Sequence, residues 1–126
     1  MREKETCHFW VGQVSEQTAG EYFVETHDED RDDTPVSAFA RDQGVIWYDH
    51  DSLEYGWGTA DTIQELVAPY SYSDQWAEEL ARRVAVAGLS GINFFAFITQ
   101  DEIENPQSVK GDGYWLRYMG TIEYRI

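Results

Sequence analysis

The pattern of apolar and polar positions divides the chain into short alternating elements. Residues 7–14 are rich in strand-forming side chains and predict a first strand. Residues 45–51 predict a short second strand. Residues 92–99 form a continuous apolar run, which is typical of a strand buried on both faces. Residues 114–126 alternate between apolar and polar side chains, so we expect a half-exposed strand there.

The last strand is predicted to turn one row of side chains towards the core. That row consists of Tyr114, Leu116, Tyr118, Ile122, Tyr124 and Ile126. The segment that precedes this strand is polar and contains one proline and two glycines, so it predicts a loop. The simplest arrangement then pairs the last two strands antiparallel through that loop.

Three short segments carry helix signals. Ser15 is a favourable N-cap for a helix over residues 15–23. Residues 35–44 begin with a proline and end with a glycine, which is the usual punctuation of a short helix. Residues 58–69 have a possible N-cap at Thr59 and end at a proline. Each segment is long enough for only a few helical turns.

The clearest helix covers residues 73–91. Ser73 or Asp74 is its predicted N-cap, and Gly88 suits the left-handed position after its last turn. Helical spacing places three large side chains in one apolar stripe, namely Trp76, Leu80 and Val84.

The order of the predicted elements is β-α-α-β-α-α-β-β. That order predicts an α+β fold, with a small, mostly antiparallel sheet and helices packed on it. The length of 126 residues fits a single domain over 1–126.

The charge is strongly negative, with 24 acidic and 9 basic residues and a formal net charge of −15. Residues 1–66 hold 16 of the acids and 4 of the bases. Nucleic acids and anionic membranes are therefore excluded as partners, because both are bound through Lys and Arg. A basic protein is the expected partner, drawn in by long-range electrostatic steering.

Location and redox state follow from what the sequence lacks. Cys7 is the single cysteine, so no disulfide can form within the chain. No run is long and apolar enough to span a membrane, and the first ten residues lack the apolar core of a signal peptide. We expect a cytoplasmic protein.

An acidic segment follows the first predicted helix. Its five carboxylates are those of Asp28, Glu29, Asp30, Asp32 and Asp33. A calcium-binding hand would need glycine and glutamate where this chain has Asp33 and Phe39, so that motif is absent. The segment is either a solvated loop or a surface that steers a basic partner.

A second acidic stretch, residues 47–57, contains Asp49, Asp51 and Glu54. On a strand, Asp49 and Asp51 would point to one face, roughly 6–7 Å apart, which is near the spacing of an inverting glycosidase pair. The four aromatic side chains of the stretch either pack at the edge of the core or are exposed; these are Trp47, Tyr48, Tyr55 and Trp57. Exposed aromatics ringed by acids would be anchors of an interface.

No motif for a metal, a nucleotide or a nucleophile is present, so we expect no cofactor, no metal and no catalytic residue. The three histidines do not have metal-ligand spacing. His8 is expected to be structural, and His50 to be exposed and ion-paired. Cys7 has no histidine in a recognised nucleophile motif.

The stretches "HFWVG" and "SAFARDQGVIWYDHDSLEY" resemble the immunity protein 22 family of bacterial polymorphic toxin systems, and the likeness extends to the later "NFFAFI". The residues that carry the resemblance are Trp10, Gly12, Phe39, Asp42, Gly44, Tyr48, Asp49, Asp51, Glu54 and Asn93. The resemblance implies a small α+β protein that neutralises a toxin.

The sequence is therefore interpreted as a cytoplasmic immunity protein that binds a basic, nuclease-like toxin domain. The expected contact residues are Asp49, Asp51, Glu54, Tyr55 and Trp57, with residues 28–33 steering the partner. Two alternatives stay open: a carboxylate-based hydrolase that uses Asp49 and Asp51, and an acidic DNA mimic or adaptor.

Overall fold

The computed structural model describes residues 3–26 and 34–126. Within them the chain forms five strands and four α-helices. Their bounds are β1 Lys4–Val14, α1 Glu16–Glu21, α2 Ala38–Asp42, β2 Leu53–Trp57, α3 Ile63–Val67, α4 Ser73–Ala87, β3 Phe94–Thr99, β4 Val109–Gly111 and β5 Tyr114–Arg125. The strands make one antiparallel sheet in the order β2-β3-β1-β5-β4. The predicted α+β fold, with helices packed on an antiparallel sheet, is confirmed.

Strand β1 lies at the centre of the sheet and is buried on both faces. Trp10 and Val14 belong to a first core under α1 and α2, whereas Phe9 and Val11 belong to a second core under α3 and α4. All four side chains are at most 5% exposed. The sheet is therefore the middle layer of three.

The predicted pairing of the last two long strands is wrong, because β1 separates β3 from β5. Phe9 lies opposite Phe97 of β3 on one side and opposite Gly120 of β5 on the other. A strand with apolar side chains on both faces is best buried between two neighbours. Strand β3 itself is buried as the sequence predicts, since Phe94, Phe95, Ala96, Phe97 and Ile98 are all almost fully covered.

Strand β5 changes the direction of its side chains at a bulge. Met119 has no partner between the pairs Phe9–Gly120 and Trp10–Tyr118, and Gly120 has a φ of 91°. Such an extra residue reverses which side chains face each core. The prediction of a single inner row is therefore wrong beyond the bulge: Tyr114, Leu116 and Tyr118 face the first core, whereas Ile122 and Tyr124 face the second.

The predicted strand over residues 45–51 is also wrong, because β2 begins only at Leu53. Asp49 ends the extended backbone: its side chain accepts a hydrogen bond from the Asp51 N–H at 3.0 Å and caps a single 3₁₀ turn, His50–Ser52. Aspartate competes for its own backbone in this way and so favours turns. The alternation of aromatic residues indicated a strand, but the local aspartate bond prevails.

The helices occupy the predicted segments with shifted ends. Ser15 caps α1 as predicted, but Ser37 rather than Pro35 starts α2, and Thr62 rather than Thr59 caps α3. Tyr72, with a φ of 57°, precedes α4 without a side-chain cap. These differences are a few residues at element ends, where local signals compete.

Helix α4 presents the predicted stripe to the sheet. Its buried large side chains are Trp76, Leu80 and Val84, and Gly88 ends the helix with a φ of 70°. Across residues 3–26 and 34–126, no helix combines the length and the apolar content needed to cross a membrane.

Arg83 joins α4 to the bulge of β5. Its Nη1 donates to the carbonyl oxygens of Met119 at 3.0 Å and Thr121 at 2.8 Å, and its Nε donates to the Glu79 carboxylate at 3.0 Å. Strand β4 pairs with β5 only at residues 114–116, so no described strand lies beside these two carbonyls, and the guanidinium supplies their donor instead.

We expect Arg83→Met to lower the free energy of unfolding by about 1.5–3 kcal/mol, because two carbonyls lose a charged donor. Arg82→Met is the matched control, since Arg82 is more exposed and contacts only Glu79. That change should lower the free energy of unfolding much less, because an exposed ion pair is screened by solvent. Urea denaturation of both variants measures the difference, and equal losses would contradict the role of Arg83.

Candidate functional site

The predicted contact residues of the 47–57 stretch lie at one edge of the sheet. Among the described residues, strand β2 is the outermost strand on that side and pairs only with β3. The chain reaches β2 through an irregular segment, residues 43–52, that leaves α2. The candidate site is therefore a strand edge together with the loop that leads into it.

Of the four aromatic side chains of this stretch, one is buried, one is partly buried and two are exposed. Tyr48 is fully buried and hydrogen-bonded to Ser37 at 3.1 Å, and Tyr55 stacks on Phe23 with the ring centroids 4.0 Å apart. Trp47 is 62% exposed and Trp57 is 48% exposed. Both possibilities that the sequence left open therefore occur, packing against the core and exposure to solvent.

Two further apolar side chains extend this surface. The Thr26 N–H donates to Val36 O at 2.7 Å and the Val36 N–H donates to Ile46 O at 2.9 Å, so three chain segments lie side by side. Val24 is 56% exposed and Ile46 is 46% exposed. We name Val24, Ile46, Trp47, Asp51 and Trp57 together the edge surface. Sequence reasoning missed Val24 and Ile46, because nothing in the sequence marks them as exposed.

The carboxylates of the stretch have different roles. Asp49 caps the 3₁₀ turn, and its N–H donates to the Glu102 carboxylate at 3.0 Å. Glu54 accepts a hydrogen bond from the Ser71 N–H at 3.1 Å and so ties β2 to the start of α4. The side chain of Asp51 is exposed. Two of the three acids therefore hold the loop and strand in place, and Asp51 faces solvent.

The five predicted residues do not share one face. Tyr55 and Trp57 lie on the side of the first core, whereas Glu54 lies on the side of the second. Asp49 and Asp51 are in a turn and not on a strand, so the same-face geometry on which the hydrolase alternative rested is absent. Four surface grooves of about 240–410 Å³ lie elsewhere on the described part of the chain, and none of these four is lined by Asp49, Asp51 or Glu54.

His50 is exposed and ion-paired, as predicted. Its Nδ1 contacts the Glu25 carboxylate, and this hydrogen bond raises the pKa of His50 above its ordinary value. The contact fastens the turn before β2 to the segment after α1. No group of three or more His, Cys, Asp or Glu side chains that could hold a metal occurs in the described residues.

His8 is structural, as predicted. Its Nε2 donates to the Ile103 carbonyl at 2.9 Å, so its Nδ1 accepts from the Tyr118 hydroxyl at 2.7 Å. Burial lowers the pKa of His8 below its ordinary value. Cys7 is also buried, as one of the side chains of the second core.

The acidic segment and its five predicted contact residues, Asp28, Glu29, Asp30, Asp32 and Asp33, lie outside the described residues, as does His27. The chain enters that segment after Thr26 and leaves it before Thr34. The Thr26 N–H is bonded to the carbonyl of Val36, whose own N–H is bonded to the carbonyl of Ile46. The role of these five acids stays a prediction.

The residues that carry the family resemblance mostly maintain the fold. Asp42 accepts hydrogen bonds from the hydroxyls of Tyr22 at 2.8 Å and Tyr114 at 2.5 Å. The Asn93 side chain bonds both the N–H and the C=O of Val14 at 2.9 Å. A side chain at Gly12 would collide with the Trp115 carbonyl, 2.0 Å from the added carbon.

A family model described as Immunity protein 22 matches residues 7–125 of the chain. The match identifies the class, an immunity protein, for which the expected role is toxin neutralisation. The chain belongs to the Immunity protein 22 family. No curated protein and no solved structure matched the chain.

We expect the pKa values of the two described histidines to differ from the ordinary value of 6.5 in opposite directions, with that of His8 lower and that of His50 higher. Burial keeps His8 neutral to lower pH, whereas the Glu25 carboxylate keeps His50 protonated to higher pH. NMR titration of the ring protons measures both values. Glu25→Gln should return the pKa of His50 towards 6.5 and leave that of His8 unchanged; an unaltered His50 pKa would show that the ion pair does not form.

Proposed function

We propose that this protein binds a basic toxin domain through the edge surface and thereby neutralises it, in the cytoplasm and without catalysis of its own. The observation that carries the proposal is the position of the two exposed tryptophans. Trp47 and Trp57 flank the acidic turn at residues 49–51 in the sequence, both are exposed, and Trp57 belongs to the outermost strand of the sheet. Trp10 and Trp76, in contrast, are fully buried.

The apolar part of the surface supplies affinity. Trp47 and Trp57 together with Val24 and Ile46 leave large apolar areas in water, although a chain of this size has room to bury them. Covering each tryptophan on binding would contribute roughly 2–4 kcal/mol. Tryptophans surrounded by polar groups are also the residues that most often dominate protein interfaces.

The charge of the surface selects the partner. Between Arg41 and Arg82 the chain has no Lys or Arg, and its nine carboxylates are those of Asp42, Asp49, Asp51, Glu54, Asp61, Glu65, Asp74, Glu78 and Glu79. This span contains the turn, β2, α3 and the first part of α4. Such a field attracts a basic protein from a distance and repels nucleic acid and other acidic surfaces.

A nuclease-like toxin fits this chemistry best. A nuclease binds phosphates in a basic cleft, and carboxylates placed in that cleft imitate phosphate charges and exclude the substrate. Residues 28–33 add five carboxylates near the same part of the sequence and would steer the encounter. Neutralisation then needs only tight occupation of the cleft and no cofactor.

The proposal is tested by capture of partners from native cell lysate on the immobilised protein, at low and at moderate salt, followed by mass spectrometry. We expect one basic polypeptide with a toxin-like domain, retained most strongly at low salt because exposed charges are screened as salt rises. If no basic polypeptide is retained specifically, the proposal is wrong.

The double variant Asp49→Asn/Asp51→Asn should bind the captured polypeptide at least about tenfold more weakly at low salt. Asparagine keeps a side-chain oxygen that can cap the turn, so the thermal unfolding temperature should change little. Glu104→Gln/Asp112→Asn is the matched control, because it removes the same charge from exposed positions outside the edge surface. Equal affinities of the two double variants would show that the turn is not part of the interface.

A further inference from the structure

The outer edge of β2 presents unpaired backbone groups. The Gly58 N–H donates to the Asn93 carbonyl at 3.0 Å, and Gly58 and Asn93 continue the register of β2 and β3. In an antiparallel ladder, hydrogen-bonded and non-bonded pairs alternate along the strand. Glu54 and Gly56 therefore bond to β3, and the backbone groups of the alternate residues, Tyr55 and Trp57, point away from the sheet.

The pairing of β1 with β5 leads to the same alternation of hydrogen-bonded and non-bonded pairs. The Ile126 N–H donates to the Glu3 carbonyl at 2.9 Å, so the odd-numbered residues at the start of β1 bond to β5. His8 then bonds to Ile98 of β3, and Phe97 is left to bond to Glu54. From either side of the sheet, the N–H and C=O groups of Tyr55 and Trp57 therefore point outwards.

These groups have no hydrogen-bond partner in residues 3–26 and 34–126. The Leu53 N–H, which also belongs to the outward set, is occupied by the His50 carbonyl of the 3₁₀ turn. In the described residues the N–H and C=O of Tyr55 and of Trp57 remain open, together with the Leu53 C=O. An open edge of this kind accepts an added strand.

The faces of β2 are packed although its edge is open. Tyr55 stacks on Phe23 from the first core, and the Tyr70 ring lies so close over Gly56 that an added side-chain carbon would be 2.1 Å from its hydroxyl oxygen. The Glu54 bond to Ser71 adds a third attachment. The edge is therefore held in strand geometry before any partner binds, which lowers the ordering cost of binding.

We propose that β2 receives an extended, basic segment of the toxin domain as a sixth strand of the sheet, next to Tyr55 and Trp57. The charge of this part of the chain favours such an occupant, since Asp49 and Asp51 lie before β2, Asp61 and Glu65 lie after it, and no Lys or Arg occurs between Arg41 and Arg82. A second copy of this chain would bring an equally acidic edge and is disfavoured by repulsion. The inference rests on the proposed function and adds to it the mode of recognition.

The first test uses a defined probe, a capped hexapeptide of alternating arginine and valine, added at millimolar concentration to the ¹⁵N-labelled protein. We expect amide hydrogen exchange to slow by about fivefold or more at Tyr55 and Trp57, and to stay constant at Glu54 and Gly56, which already bond to β3. A hexapeptide of alternating glutamate and valine should have no effect. Unchanged exchange at Tyr55 and Trp57 with the basic peptide would overturn the inference.

The second test compares Trp57→Pro with Trp57→Ala in the capture experiment. Both variants lose the indole, but only proline also removes the outward N–H and obstructs an added strand. Proline is tolerated at an edge position whose N–H faces solvent, so both variants should unfold at similar temperatures. We expect Trp57→Pro to bind the captured polypeptide at least about tenfold more weakly than Trp57→Ala.

The outcomes separate the inference from the proposed function. If Trp57→Pro and Trp57→Ala bind equally while Asp49→Asn/Asp51→Asn binds weakly, the surface is correct but strand addition is wrong. If the wild-type protein retains no basic polypeptide, the proposed function is wrong, and so is the inference that a basic toxin segment binds β2. Self-association through β2 in analytical ultracentrifugation, abolished by Trp57→Pro, would identify a second copy as the occupant and also overturn the inference.

Discussion

The burial of β1 on both faces is the constraint on which the rest of the structure depends. A central strand with Trp10 on one face and Phe9 on the other needs a covering layer on each side and a neighbour on each edge. The chain builds the first layer with α1 and α2 and the second with α3 and α4. Between them it must pass from one layer to the other, and it does so through β2 at the sheet edge. The position of the candidate site follows from this passage.

The elements with strong periodicity could be predicted from the sequence, and those that depend on distant contacts could not. Helix α4 and strand β3 each carry their own signal, a stripe of large side chains or an unbroken apolar run. The reversal in β5 has only a weak local signal, Gly120, since a glycine inside a strand pattern suggests a bulge. The donor to the carbonyls that flank Gly120 is Arg83, which is far away in the sequence. The central position of β1 likewise depends on which strands meet in space.

The sequence marks residues 47–57 as a candidate site, which stays a prediction, but it does not show which of their side chains are exposed. The acidic and aromatic stretch does lie together at one edge, but only the fold decides which of its side chains face solvent. Tyr55 is covered because Phe23 happens to stack on it, whereas Trp57, two residues later on the same face, extends past the core. The aspartates looked like a pair on a strand, and the cap formed by Asp49 could not be inferred from alternation alone.

Structural roles and the proposed binding roles are divided among neighbouring residues at this edge. Asp49, Glu54 and His50 each form a bond to another segment of the chain, to Glu102, Ser71 and Glu25 respectively. Those bonds fix the loop and the strand, so binding would order few additional groups. The exposed charges act over a distance and would set the association rate. The tryptophans act only in contact and would set the dissociation rate. Salt should therefore slow capture of the partner far more than it hastens release.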